Sequence, residues 1–327
     1  MLSKFWYFMV LGIIYALIWV WLSSTMNIIS KLMSQRYDVD RSLVIQYFFG
    51  AMIALMLMIL IDGQLYTLTY VQWAFMILLG FIWYVDYRCF YKALSKLHAG
   101  TVMIISSLTI FLSYGINIFI LPETTFSVYK TIIGLLFVIV IIISISTNKS
   151  HGHLSLHHIL HSLSRHYHIW SGSNQNSQTP TLAKTWYIRA IISTVMASLL
   201  YVWLWYGLEK WFISAWQATA LPDTFTLIIA VRVYGEHNDF WYRKFGEMRL
   251  KSIVPYIIIG LFGACNSVLI YTAIQYSDPN TIAIVRLTGI ILTPILAQII
   301  LHDKLTRIQR ILSILWFVLM ILFIMDR

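Results

Sequence analysis

Six charged side chains interrupt the long apolar stretches of this sequence, and charge in such surroundings calls for a chemical reason. They are Asp86, Glu209, Lys210, Arg232, Glu236 and Arg286. Inside a bilayer a charged side chain costs about 3 kcal/mol on insertion scales, so embedded charges typically bind ions, solutes or one another. These six residues are therefore the first candidates for a functional site.

Arg286 is the candidate best suited to hold a ligand. Its planar guanidinium can capture a carboxylate or phosphate through two parallel hydrogen bonds, and we predict that Arg286 or Arg232 anchors an anionic group. Asp86 is predicted to be a proton-linked or gating acid of the same site. The alternatives are structural: Arg286 forms an ion pair with Asp86, or its charged end reaches the membrane surface along its aliphatic stem.

Glu209 and Lys210 directly follow an aromatic run and form a candidate gate. A pairing of Glu209 with Arg232, which lies in the next apolar stretch, would close one end of a pathway. The alternative is that the helix before them ends at Gly207 and that Glu209 and Lys210 lie at the membrane interface.

Uncharged polar and aromatic residues complete the predicted site. The remaining substrate-binding candidates are Asn117, Trp203, Trp205, Asn266, Tyr271 and Gln275. The last three recur at spacings that place them roughly on one helix face. Pro294 removes one backbone hydrogen bond from its helix and is predicted to provide a bend used in gating. Hydrogen bonding between helices is the alternative role for the polar residues.

Most of the histidines lie in one polar segment, which also contains the Ser- and Asn-rich stretch 171–180. If this segment were helical, His153, His157 and His161 would share one face, so they are weak metal-site candidates. The segment contains no Asp, Glu or Cys. Its composition cannot bury a core and favours a solvated linker. We predict no bound metal and no cofactor.

The elements that position these residues are membrane helices. The chain is 59% hydrophobic and 11% charged, with a mean hydropathy of +0.76, whereas soluble domains have about 25% charged residues. The net charge of +10 falls mainly in the connections, which indicates membrane orientation and does not point to nucleic acid. Ten spans are predicted, at Phe5–Met33, Ser42–Ile61, Val71–Leu94, Ala99–Leu121, Val128–Thr147, Trp186–Ala218, Pro222–Tyr242, Ile253–Tyr276, Pro279–Leu301 and Ile308–Met325.

The two halves of the chain resemble each other. A shift of 180 positions superposes Tyr91 on Tyr271, Ala93 on Ala273 and, in the following loop, Glu123 on Asp303. Five spans in each half require the second half to enter the membrane from the opposite side. We predict an all-α membrane protein whose ten transmembrane helices form two inverted five-helix repeats, at 1–147 and 185–327, joined by a linker at 148–184.

The repeated segments are similar to the drug/metabolite transporter superfamily, in particular its EamA-like ten-helix carriers. Each half has a Tyr-x-Ala helix end, a short turn, a further helix and an acidic residue that opens the last loop. Pro222 and Arg232 resemble the family's second-helix residues, although the first half has no counterpart to them, and Asp303 replaces the usual Glu. The resemblance implies transport of amino acids, nucleotides, nucleotide sugars, sugar phosphates or drugs by alternating access.

Function follows from the absence of catalytic motifs and from the embedded charges. No Gly-rich phosphate loop, nucleophile elbow or His-Glu-x-x-His helix occurs, so we do not predict an enzyme. We predict a secondary transporter for a small polar, anionic or zwitterionic metabolite of the amino acid or nucleotide type. Its expected partners are this small molecule, the lipid bilayer, and a coupling proton or exchange substrate. The alternatives are a divalent-cation transporter that uses the His-rich linker, and a membrane structural or sensor protein.

Charge also predicts orientation. With these spans, the connections after the odd-numbered helices hold most of the Lys and Arg residues, and the opposite face holds Lys4, Lys130 and Arg327. The positive-inside rule then places the linker in the cytoplasm and both termini outside, in a cell (inner) membrane. The resembled superfamily implies both termini inside, and we follow the charges.

Overall fold

The chain is helical throughout the part that the structure describes. The computed structural model describes residues 2–36, 38–61, 68–97, 99–120, 127–146, 180–210, 213–237, 250–276, 279–302 and parts of 310–322. The helices are α1 (Leu2–Arg36), α2 (Val39–Ile61), α3 (Tyr70–Leu94), α4 (Ala99–Ser106), α5 (Thr109–Ile120), α6 (Val128–Ser146), α7 (Pro180–Lys210), α8 (Ala215–His237), α9 (Leu250–Tyr276) and α10 (Pro279–Ile300).

Six helical segments in the described ranges are long and apolar enough to cross a membrane. They are Val10–Gln35, Val39–Ile61, Tyr70–Leu94, Ala99–Phe119, Thr185–Leu204 and Ile253–Ala273. Large apolar side chains such as Ile14, Leu17 and Trp21 of α1 face outward. Outward apolar faces on long apolar helices are what a lipid environment requires. The chain is thus a multi-pass membrane protein built from α-helices.

Polar side chains define where several helices begin. The Asp38 carboxylate accepts a hydrogen bond from the Arg41 amide before α2, and the Ser214 hydroxyl accepts one from the Gln217 amide before α8. Thr69 forms a capping box with Gln72 at the start of α3. Such caps satisfy backbone N–H groups that have no partner within the helix.

The start of α8 differs from the prediction. The prediction begins this helix at Pro222, because the apolar runs are bounded at charged residues, Pro and Gly. The structure begins it at Ala215, after the Ser214 cap, and leaves Pro222 inside the helix. The residue after it, Asp223, therefore lies in the interior of α8 and not at its first turn.

The predicted helix Ala99–Leu121 is interrupted. α4 ends at Ser106 and α5 begins at Thr109. The Ser107 hydroxyl donates to the Ile104 carbonyl at 2.6 Å, and the Thr109 hydroxyl donates to the Ser106 carbonyl at 2.6 Å. Hydroxyls that bond nearby carbonyls compete with the regular helical pattern, which explains an interruption at this point.

Helices from the first part of the chain pack mainly against helices from the second. α1 packs against α9 and α10, α2 against α8 and α9, and α3 against α7 and α8. α1 also buries Lys31, which is 4% exposed and donates from Nζ to the Leu97 carbonyl at 3.1 Å. The two parts of the chain therefore share one core and do not form separate bundles.

Two glycines allow the closest of these crossings. A Cβ at Gly80 of α3 would lie 2.6 Å from the Phe225 Cβ and 2.9 Å from the Pro222 carbonyl oxygen of α8. A Cβ at Gly260 of α9 would lie 2.8 Å from the Gly50 nitrogen of α2. Neither crossing leaves room for a side chain, so each glycine is required where it stands.

Candidate functional site

A cavity of about 180 Å³ lies among α1, α3, the α4–α5 junction, α7, α9 and α10. This is smaller than the roughly 300–1,000 Å³ of sites that hold drug-sized ligands. Its polar lining residues are Ser23, Ser24, Asn27, Asp86, Ser106, Ser107, Thr109, Ser193, Thr194, Asn266, Ser267 and Thr293. Hydroxyl and amide groups at this density suit a small polar solute.

Asp86 supplies a carboxylate to this cavity. The Ser193 hydroxyl of α7 donates to Asp86 Oδ1 at 2.5 Å. Among the lining residues that the structure describes, Asp86 is the single charged side chain. An acidic group among packed helices attracts a positively charged partner, such as an ammonium group of a solute, more strongly than it would in bulk water.

The basic residues next to Asp86 on α3 point to a different partner. Arg88 binds Asp40 of α2 through two hydrogen bonds, from Nε to Oδ1 at 2.6 Å and from a terminal nitrogen to Oδ2 at 3.0 Å. Lys92 donates to Asp40 Oδ2 at 2.9 Å. Asp40, near the start of α2, therefore binds both cations near the C-terminal end of α3. None of these three residues is among the described lining of the cavity.

Aromatic rings form one wall of the cavity. The lining rings are Trp19, Trp83, Tyr87, Phe90 and Tyr271. Trp83 and Tyr87, one helical turn apart on α3, are stacked with ring centroids 6.1 Å apart and an interplanar angle of 16°. The faces of such rings attract cations and pack well on apolar groups.

The interruption between α4 and α5 opens onto the same cavity. Two hydroxyls of α7 reach carbonyls beside the interruption: Thr194 donates to Ile105 at 3.3 Å and Ser198 donates to Thr109 at 3.3 Å. Irregular backbone within a membrane is tolerated where protein groups or a cavity satisfy it. The Ser106 hydroxyl lines the cavity and has no hydrogen-bond partner among the described residues.

Asn266 faces the cavity from α9. It is 8% exposed, and its Oδ1 has no hydrogen-bond partner among the residues described. A buried amide oxygen without a partner costs free energy, and a ligand donor would remove that cost. Together with Asp86, it provides hydrogen-bond acceptors on two different helices.

The structure brings together some of the sequence-predicted residues and separates others. Asp86, Asn266 and Tyr271 line the cavity. Arg232 lies on an exposed face of α8, and the Trp203 ring packs on Phe75 with centroids 5.8 Å apart. Neither of these two side chains is among the described lining residues.

The other predicted residues fall into two groups. Asn117 is half-buried on α5 and Pro294 is buried within α10, both outside the described lining. The side chains outside the structural description are those of Trp205, Glu209, Lys210, Gln275, Arg286, His153, His157 and His161. Within the described residues, no group of three His, Cys, Asp or Glu side chains could hold a metal ion.

Sequence reasoning missed two features of this region. The run Ser106-Ser107-Leu108-Thr109 places three hydroxyls in four positions of an apolar span, and that density could have indicated the interruption. Asp223, which lies in a second and smaller cavity, was overlooked because Pro222 was expected to begin its helix.

Comparisons with known proteins inform the fold alone. No family model matches the chain, and no curated protein matches it. Twenty-four chains of solved structures match. One, described as the crystal structure of a protein, covers 94% of this chain and 97% of its own length, with a TM-score of 0.61 and 10% sequence identity. The helical arrangement is thus similar to that of a solved structure over almost the whole chain.

Proposed function

We propose that the protein is a secondary transporter that binds a small zwitterionic metabolite between its two halves and works by alternating access. The observation that carries this proposal is the cavity itself, in which the Asp86 carboxylate, an aromatic wall and a layer of hydroxyls surround a space of about 180 Å³. A carboxylate of this kind suits the ammonium group of an amino acid or a similar amine.

Helix packing supports the predicted inverted repeat. In such a repeat, α1, α2 and α3 would correspond to α7, α8 and α9. The contact of α1 with α9 then corresponds to the contact of α7 with α3, and both contacts are extensive. The contact of α2 with α9 likewise becomes that of α8 with α3. The shift of 180 positions also matches Gly80 with Gly260, the two glycines of the closest crossings. A two-fold relation between halves is the plan of many secondary transporters.

Arg286 is the proposed partner for the acidic end of the substrate. Position 286 lies one turn before Gly289 and two turns before Thr293 on α10, and both of these residues line the cavity. Residues at such spacings share a helix face. A zwitterion would then place its ammonium group at Asp86 and its carboxylate at Arg286, so that each charge has a partner.

An uptake screen in proteoliposomes tests this function. Amino acids, simple amines, organic acids, nucleotides, sugar phosphates and Zn²⁺ would be offered to the wild type and to Asp86→Asn. We expect uptake of one or more amino acids and its loss in the variant. Asp38→Asn is the matched control, because Asp38 is exposed and caps α2 outside the cavity. Uptake of none of these solutes, or uptake that does not require Asp86, would contradict the proposal.

The orientation proposed from charge has a separate test. Asn174→Cys places a thiol in the linker, on a background with Cys89 and Cys265 replaced. If the linker is cytoplasmic, an impermeant thiol reagent labels this position only after the cells are opened. Labelling of intact cells would place the linker outside and reverse the orientation.

A further inference from the structure

A second cavity adjoins the first and is far smaller. Its volume is about 10 Å³, which is close to the space needed for one water molecule. It lies among α2, α3, α8 and α9, and it shares Trp83, Tyr87 and Ser267 with the larger cavity. A metabolite cannot enter it, so any ligand must be of the size of a proton or a water molecule.

Asp223 of α8 lines this second cavity. It is 5% exposed, and it is the single charged side chain among the described residues that line this cavity. Tyr47 of α2, 4% exposed, lines the same cavity with a hydroxyl that has no hydrogen-bond partner within the described ranges. A buried carboxyl group and a buried phenol hydroxyl therefore meet at one small space.

The groups that face Asp223 carry no positive charge in the described part of the chain. α2 contributes Tyr47 and Gln46, and α3 contributes Tyr87 and Trp83. α9 contributes glycine, alanine and serine residues, none of which titrates in the physiological range. Asp86, on α3, lies within electrostatic range of Tyr47, as does Asp223. Among the described residues, the titratable groups that line this cavity with Asp223 are thus the two phenols of Tyr47 and Tyr87.

This composition favours a neutral Asp223 when the cavity is closed. A bare carboxylate away from water costs several kcal/mol unless it is paired, and protonation removes that cost. A bound metal ion would need about six oxygen ligands, whereas one carboxylate, one amide and a few hydroxyls line this space. A proton is the ligand that fits.

Asp223 also lies between the two closest helix crossings. The carbonyl of Pro222, the preceding residue, approaches Gly80 of α3, while Gly50 and Gly260 form the α2–α9 crossing and line the second cavity. Separation of either crossing would admit water to Asp223. The carboxylic acid would then give its proton to that water, and a proton would return before closure.

We propose that Asp223 is the proton-binding residue that couples proton movement to the change between the two access states. This inference rests on the proposed transport function and names the ion that drives it. The walls shared with the larger cavity, Trp83 and Tyr87, connect the protonation of Asp223 with substrate binding next to Asp86.

Infrared difference spectroscopy tests this proposal without a transport substrate. The full chain in lipid nanodiscs would be titrated from acidic to alkaline buffer, and the carbonyl band of protonated carboxylic acids would be followed. We expect wild type to show such a band at neutral pH and Asp223→Asn to lack it. Asp38→Asn is the matched control and should keep the band, because Asp38 is exposed and caps α2 outside both cavities. Asp223→Ser provides a second variant in case the amide prevents folding.

Two results would overturn the proposal. One is a wild type without a carboxylic acid band at neutral pH, or a band unchanged in both Asp223 variants. The other is loss of the band when sodium chloride replaces N-methylglucamine chloride, which would assign the site to Na⁺. Because the titration needs no substrate, failure of the uptake screen would contradict transport while leaving the proton site as measured.

Discussion

α3 and α9 have matching architecture and different charge. Gly80 stands ten residues after the first residue of α3, and Gly260 ten residues after the first residue of α9. Sixteen residues after each start, α3 has Asp86 and α9 has Asn266, and both side chains line the large cavity. The crossing residue is the same in both helices, whereas the cavity-lining residue is an acid in one and an amide in the other.

This difference shows that helix packing and the cavity place different requirements on the two helices. The glycines are equivalent because both crossings need backbone contact, which tolerates no side chain. The cavity needs only one negative charge, because a second carboxylate nearby would repel the first and raise the cost of desolvation. α3 and α9 thus line the cavity asymmetrically, and Asp86 and Asn266 are expected to respond differently to exchange.

The largest effect is expected for Asp86→Asn. Loss of the charged hydrogen bonds to a substrate ammonium should lower uptake about 100-fold, which corresponds to about 2.7 kcal/mol. The double variant Asp86→Asn with Asn266→Asp moves the acid to α9, and we expect it to remain as inactive as the single variant, since Ser193 donates only at Asp86. Initial uptake rates in proteoliposomes measure both. Recovery in the double variant would mean that the position of the charge is unimportant.

The crossings should be the next most sensitive. Gly80→Ala and Gly260→Ala each force a Cβ to within 3 Å of atoms on the neighbouring helix, and overpacking of this kind costs about 1–3 kcal/mol. We expect both variants to unfold at lower temperature in detergent. Gly115→Ala is the control, because a Cβ there meets nothing within 4 Å. Equal stability of all three variants would show that the crossings can relax.

A smaller effect is expected for Asn266→Asp alone. The added carboxylate repels Asp86 across the cavity and the substrate carboxylate within it, so uptake should fall about tenfold, equivalent to about 1.4 kcal/mol. Asn266→Ala removes the amide without adding a charge, so it measures the effect of losing the amide alone. If the aspartate and alanine variants lose the same activity, repulsion is not the cause.

The smallest effect is expected for Ser193→Ala. The hydroxyl orients Asp86 through one hydrogen bond, and a typical hydrogen bond contributes about 1 kcal/mol, so uptake should fall about fivefold. Ser198→Ala, one turn or so along the same helix and bonded to backbone, is the comparison variant. A larger loss of uptake in Ser198→Ala than in Ser193→Ala would indicate that the helix interruption matters more for uptake than the orientation of Asp86.

The all-helical membrane character of the chain was predictable because long apolar runs bounded by charge have few other stable states, and the six apolar helices confirm it. The ten-helix count and the inverted repeat stay predictions. The α4–α5 interruption escaped prediction because Ser106 and its neighbours were assigned to a continuous helix. Asp86 and Asn266 are predicted from the sequence as polar residues within spans. That both line one cavity depends on packing between helices far apart in the chain, and a single sequence carries no recognisable pattern for such packing.

The interruption between α4 and α5 has a consequence for biogenesis. At 1.5 Å per residue, eight and twelve residues span about 12 and 18 Å, and neither helix alone crosses a hydrocarbon core of about 30 Å. The carbonyls of Ile105 and Thr109 receive hydroxyls from α7, which is synthesised more than seventy residues later. During translation the α7 hydroxyls reach these carbonyls only after the interrupted segment has been made, so the second half of the chain completes the hydrogen bonding at the interruption.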